Sequence, residues 1–165
     1  MKTVNKNKFW SVVILFSLVA GSTFVACDDT DDGSFAEPIR LTEKIVGKWQ
    51  LEAIVQKDEL TDTEFDLTDQ LNFSSFVLTL DENAHFEISG QAPQLLPTSG
   101  LWMLDSDFVK PTGDAPVLIL SSDNSTTSLV VNNMPSSKAE FSFSLIRKYN
   151  NVPFVSYTYK LTAVN

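Results

Sequence analysis

The chain of 165 residues holds one cysteine, Cys27, and one histidine, His85. One cysteine permits no internal disulfide, so the fold has to be held by an apolar core. A lone histidine cannot by itself supply a catalytic triad or a multi-histidine metal centre. Between Ala84 and Phe86 it reads as a solvated residue on the polar face of a strand. Basic residues are also scarce, with 12 Lys and Arg against 21 Asp and Glu and a net charge of −9. That balance, without any polybasic patch, disfavours nucleic acid and anionic lipid headgroups as partners. No serine sits in Gly-x-Ser-x-Gly, and no glycine loop of the phosphate-binding kind appears. Long helical patterns and internal repeats are missing too.

What is present begins with Lys2, Lys6 and Lys8, followed by the apolar run Phe9 to Ala20 and the small residues Gly21, Ser22 and Thr23. This is the layout of a secretory signal, with an apolar region shorter than a bilayer-spanning helix needs. An uncleaved membrane helix is the competing reading, yet even counted through Ala26 the stretch only reaches the lower limit for a span. Phe24-Val25-Ala26-Cys27 resembles the bacterial lipobox. The resemblance implies that residues 1–26 are removed, that the Cys27 thiol is lipidated and that the new amino terminus is acylated. The plainer reading is an ordinary cleaved signal with an incidental thiol. Three acyl chains, at about 0.8 kcal/mol per buried CH₂, exceed what stable anchoring requires.

Asp28-Asp29-Thr30-Asp31-Asp32-Gly33-Ser34 follows directly. Acidic residues at this place resemble the surface-export signal of Bacteroidetes-type lipoproteins. In enterobacterial-type sorting, Asp28 would instead resemble an inner-membrane retention signal. By composition the segment is a solvated tether. The chain therefore divides into a signal peptide (1–26), an acidic lipid-anchored tether (27–39) and a folded domain (40–165). Without residues 1–26, nine basic residues face 21 acidic ones, for a net charge of −12.

Gly47-Lys48-Trp49 opens the domain's first strand. Trp49, Leu51, Ala53 and Val55 alternate with Gln50, Glu52 and Gln56, the period of a half-buried strand, with Ile54 the one apolar residue on the polar side. Pro38 to Val46 predicts one or two helical turns before it, and Leu67 to Asn72 has room for one turn. An acidic connection from Asp58 to Ser75 leads to further strands over 76–80, 84–89, 100–104, 117–121, 128–132, 139–149 and 154–163, separated by turn chemistry such as Asp81-Glu82-Asn83 and Asn150-Asn151-Val152-Pro153. Eight strands without helical crossovers predict an antiparallel sheet, and an up-and-down arrangement of eight closes into a barrel without edges. A two-sheet β-sandwich has the same pattern and stays open as the alternative.

A helical turn followed by Gly47-x-Trp49, with Gly100-Leu101-Trp102 later, resembles lipocalins, and in particular the lipocalin-like domains of unknown function in Bacteroidetes lipoproteins. The resemblance implies an eight-stranded barrel whose floor is closed by Trp49. It also implies an arginine-type cover for that ring, with Arg147 in the seventh strand and Lys160 in the eighth as candidates. An eight-stranded barrel either packs its interior with side chains or holds one small ligand. Trp49, Phe86, Trp102, Phe141, Phe143, Tyr157 and Tyr159 are the expected lining, together with Phe76. Such bulk either lines an apolar pocket, with the tyrosine hydroxyls orienting a ligand, or fills the lumen, and a filled or nearly filled barrel is the expectation because aromatic stripes are usually core.

The carboxylates at Asp58, Glu59, Asp62, Glu64, Asp66 and Asp69 lack the glycine and closing glutamate of a calcium loop, so a hydrated loop is expected and no metal or other cofactor. The sequence thus predicts a non-catalytic binding domain for a small apolar or amphipathic molecule, lipid-anchored in the outer membrane and surface-exposed. The alternative is an accessory subunit of a cell-surface nutrient-uptake assembly, with a filled barrel and an outer-membrane protein as its partner. A hydrolase would need clustered carboxylates or a paired base around His85, and neither is visible.

Overall fold

One helical turn, α1 (Leu41–Ile45), leads into the sheet, and Gly47 at φ +145° redirects the chain into the first strand. The structure, a computed structural model, describes residues 38–70, 75–91, 95–136 and 139–164. The stretch read as a signal peptide, Cys27 and nearly all of the stretch read as an acidic tether lie outside the described residues. Among the described residues nine strands follow α1: β1 (Gly47–Asp58), β2 (Thr63–Asp66), β3 (Val77–Leu80), β4 (His85–Ser89), β5 (Ser99–Leu104), β6 (Val117–Ser122), β7 (Ser125–Asn133), β8 (Glu140–Tyr149) and β9 (Val152–Ala163). β1 and β3 to β9 each pair antiparallel with the next, and β9 returns to β1, with Trp49 opposite Ala163 and Gln56 opposite Tyr157. This closes an up-and-down barrel of eight strands, and the sandwich alternative falls away because its first and last strands would not share one ladder.

Two features differ from the pattern read in the sequence. The connection after Asp58 is not wholly loop, since β2 forms a hairpin with the far half of β1, Gln56 facing Phe65 and Lys57 facing Glu64. β3 covers only Gly47 to Gln50, so the far half of a twelve-residue β1 would otherwise present unpaired backbone groups on that side. Strict alternation also puts Ile54 outside, yet it is 1% exposed, whereas Ala53 and Val55 are only half-buried. The ladder to β9 shifts register between Leu51 and Ala53. A bulge there adds one residue to β1 and reverses the phase beyond it, which carries Ile54 into the core.

Strand direction puts α1 and the β3–β4, β5–β6 and β7–β8 connections at one end, the floor. The β1–β2 turn, the β4–β5 loop and the β6–β7 and β8–β9 turns are at the other, the mouth. α1 seals the floor with Leu41 and Ile45, and the Leu41 amide donates to the carbonyl of Asp107 at 2.8 Å. At the mouth, the buried Leu96 of the β4–β5 loop and the half-buried Leu67 join the core. The Leu67 amide donates to the carbonyl of Ile54 at 2.9 Å, and Gln70 closes a turn on Leu67. The β8–β9 turn uses Asn150 and Asn151, both at positive φ, as a tight hairpin with strand-matching twist requires. The wall is uneven. β1, β8 and β9 run 12, 10 and 12 residues, whereas β3, β4 and β5 run 4, 5 and 6. The β2-β1-β9-β8 side therefore stands taller at the mouth.

Candidate functional site

The inward-facing aromatics of β1, β8 and β9, with Phe76 just before β3, form a continuous column. Ring centroids are 5.3 Å apart from Trp49 to Phe141, 5.6 Å from Phe141 to Phe143, 5.1 Å from Phe143 to Tyr159 and 6.4 Å from Tyr159 to Phe76. Phe86 and Trp102 are also buried, on the opposite side of the barrel in β4 and β5. Each indole has a polar anchor. Trp49 Nε1 donates to the carbonyl of Ile45 at 2.7 Å, and Trp102 Nε1 donates to that of Asp81 at 3.2 Å. Trp49 thus closes the floor against α1, and Phe141 is its aromatic neighbour. Arg147 lies exposed toward the mouth, and Lys160 is exposed on the outer wall. Neither arginine-type candidate is placed to cover the indole.

Of the seven lining residues expected from sequence, Trp49, Phe86, Trp102, Phe141, Phe143 and Tyr159 are sealed in the core, while Tyr157 is half-buried. Tyr157 belongs to a row crossing the tall wall one step above Tyr159. Leu145 pairs with Tyr157, Tyr157 with Gln56 and Gln56 with Phe65. The first three are half-buried, and Phe65 is 52% exposed. Below this row, Ile54, Tyr159 and Phe143 are 1%, 0% and 0% exposed. The inner face thus passes within one residue step from closed core to an apolar ledge open at the mouth. Sequence reasoning missed Gln56 and Phe65 because both depend on the bulge and on β2.

Tyr159 is the anomaly in the core. Its hydroxyl is buried and has no hydrogen-bond partner among the described residues. Burial pushes the phenol well above the usual tyrosine range, and the nearby Tyr157 adds to the effect. A phenol is protonated at neutral pH even without that shift, and its hydroxyl can both donate and accept a hydrogen bond.

A family model described as "Domain of unknown function (DUF5004)" matches residues 22–162. The chain belongs to the DUF5004 family. A comparison with curated proteins finds no match. The DUF5004 domain is a β-barrel, and several of its other polar side chains are held by local hydrogen bonds and ion pairs. In the acidic connection, Asp58 Oδ1 accepts from the amides of Leu60 and Thr61 at 2.8 and 3.0 Å, which holds its carboxyl below the usual range, Thr61 first. Asp66 Oδ1 accepts from the Thr68 amide, and Asp62 takes Lys57 Nζ at 2.6 Å. Among the described residues, no three His, Cys, Asp or Glu side chains gather as metal ligands would. His85 lies on the outer wall with Nδ1 3.6 Å from Asp81 Oδ2, beside Glu87 and Ser99 in a shallow depression of about 420 Å³. At the floor end of the DUF5004 barrel, a groove of about 830 Å³ lies between α1 and β5, with Glu43, Glu82, Asp105 and Asp107 around Trp102 and Met103. Asp105 is engaged by Lys110 Nζ at 2.6 Å and by the Val117 amide at 2.9 Å.

Proposed function

We propose that the protein is a lipid-anchored, surface-exposed lipoprotein of the outer membrane, with a non-catalytic domain that takes up a small apolar or amphipathic molecule at the barrel mouth. The observation that carries this reading is the ledge Leu145–Tyr157–Gln56–Phe65, open above a sealed core and apolar at three of its four positions. Apolar side chains left partly open beside a polar group offer a small amphipathic molecule both kinds of contact. The anchor is supported by the lysine-rich start, the apolar run and the lipobox-like stretch ending at Cys27, and surface exposure by the acidic residues that follow. The non-catalytic reading is supported by the solvated position of His85, whose near polar neighbour is Asp81.

Titration with the neutral fluorescent probe N-phenylnaphthylamine tests the ligand reading. Saturable binding is expected, weakened about tenfold or more by Leu145→Glu, which puts a charge on the ledge. Absence of saturable binding overturns the reading. Cys27→Ser is expected to leave the membrane fraction, and its retention there would count against lipid anchoring. A second reading, an accessory subunit of a cell-surface nutrient-uptake assembly with an outer-membrane partner and no small ligand, is favoured by the complete packing below the ledge, where Leu78, Leu118, Leu120 and Phe143 are all 0% exposed. Recovery of one stoichiometric membrane partner, with no probe binding, would select it.

A further inference from the structure

The groove at the floor end joins open apolar surface to uncompensated negative charge. α1, the β3–β4 turn and β5 with the start of its following loop bound about 830 Å³. Backbone hydrogen bonds tie these walls together. The Leu41 amide donates to the Asp107 carbonyl at 2.8 Å, which fixes the loop to α1, and the Trp102 amide donates to the Ala84 carbonyl at 2.8 Å, which fixes the turn to β5. Trp102 Nε1 is already spent on the Asp81 carbonyl, so the indole has no donor left for the groove. Met103, 57% exposed, and the half-buried Val46 leave apolar surface open there. Four carboxylates surround it. Asp105 is met by Lys110 Nζ at 2.6 Å, whereas Glu43, Glu82 and Asp107 take part in no ion pair among the described residues. No basic side chain among the described residues lines the groove. Open apolar surface and unmet negative charge are separate features, and one kind of molecule answers both.

We infer that this groove binds a small organic cation, an ammonium or guanidinium group on an apolar body, with the body against Met103 and Val46 and the charge among Glu43, Glu82 and Asp107. The site lies at the opposite end of the barrel from the ledge and does not depend on the ligand reading of the mouth. Its volume is that of a small-molecule site and its walls are preformed, whereas a protein partner covers about 800 Å² a side. Charge fixes the sign of the ligand. With 21 acidic residues against 12 basic ones, the field of the whole chain draws cations toward a concave acidic surface and repels anions. The same repulsion disfavours a second copy of the chain as occupant, and equally its own acidic stretch Asp28-Asp29-Thr30-Asp31-Asp32. Met103, unbranched and adaptable, suits an apolar body of variable shape.

The test compares two fluorescent probes on the full chain. Dansylcadaverine carries a primary ammonium at the end of a pentyl arm, and N-pentyl dansylamide shares the body without the charge. The cation is expected to bind saturably and about fivefold more tightly than the neutral analogue at low ionic strength, the upper range for an exposed ion pair, with the difference largely lost at about 0.5 M salt. Met103→Lys, at an exposed position, places a competing cation in the groove and is expected to weaken dansylcadaverine about tenfold or more. Glu43→Gln with Glu82→Gln should remove the preference for the cation while leaving the unfolding midpoint unchanged. N-phenylnaphthylamine at the mouth should not be displaced, and its own failure to bind would remove the mouth reading alone. Equal affinity for the two dansyl probes, unchanged cation binding by Met103→Lys, or no saturable binding would overturn the assignment. Mutual displacement with N-phenylnaphthylamine would move the cation to the mouth and overturn it too. Should Met103→Lys not fold, the glutamine pair decides, since a preference for the cation that survives both substitutions excludes the groove.

Discussion

The Tyr159 hydroxyl sets two measurable properties of the unliganded protein. A buried donor without a partner costs stability, so Tyr159→Phe is expected to raise the unfolding free energy at neutral pH by about 1 kcal/mol. A decrease would mean that the hydroxyl has a partner in the free protein. The same burial fixes an alkaline effect. Between the ordinary tyrosine value near 10 and the raised value in the fold, the unfolded chain releases a proton that the native chain keeps. This contribution is present in full below about pH 10 and is lost as pH rises above it, by about 1.4 kcal/mol per pH unit. Urea midpoints from about pH 9 upward should therefore fall more steeply for the native chain than for Tyr159→Phe. Parallel curves would show that Tyr159 ionises as readily in the fold as outside it.

Among the elements, β1 shows what a periodic reading captures and what it cannot. Alternation places Trp49 and Leu51 inside, and both are buried. Past Glu52 the same rule assigns the wrong face, because a bulge is decided by the partner strand and leaves little trace in its own residues. The one available sign was Ile54, an aliphatic residue among polar neighbours. Side-chain truncation separates the two assignments. Ile54→Ala should cost about 2–5 kcal/mol, as for a buried aliphatic residue, and Val55→Ala below about 1 kcal/mol. The reverse order in denaturant midpoints would restore unbroken alternation. The eight barrel strands were legible because each carries its own period-two pattern and its own turn residues. β2 was not, since Thr-Glu-Phe-Asp is too short and too polar to register, and it forms to pair a stretch of β1 that β3 leaves bare. The aromatic lining was legible residue by residue. Which of those residues are sealed and which stand at the open ledge was not, because that depends on the short β3, β4 and β5 across the barrel from a tall β8 and β9.

For the whole molecule, the decisive contact is the longest-range one, between the first strand and the last. β9 lies between β8 and β1, and its Tyr159 and Leu161 are 0% and 1% exposed between the inward residues of both. Removing it would leave two unpaired edges and expose the column from Trp49 to Phe143 to water. A chain ending at Asn151 is therefore expected to show no cooperative unfolding transition and to aggregate through those edges. A chain beginning at Pro38 should behave oppositely. α1, which seals the floor, is retained, and residues Ile39–Asn165 form a contact unit of their own, so a single transition with the midpoint of the longer chain is expected in calorimetry. Because the ladder that closes the wall joins the two ends of the domain, folding of either form that keeps β9 should be slow for its size, in the millisecond-to-second range of non-local β proteins. Cooperative unfolding by the chain ending at Asn151 would mean that the sheet holds its core without closing, and the ledge at the mouth would then lose the wall on which it stands.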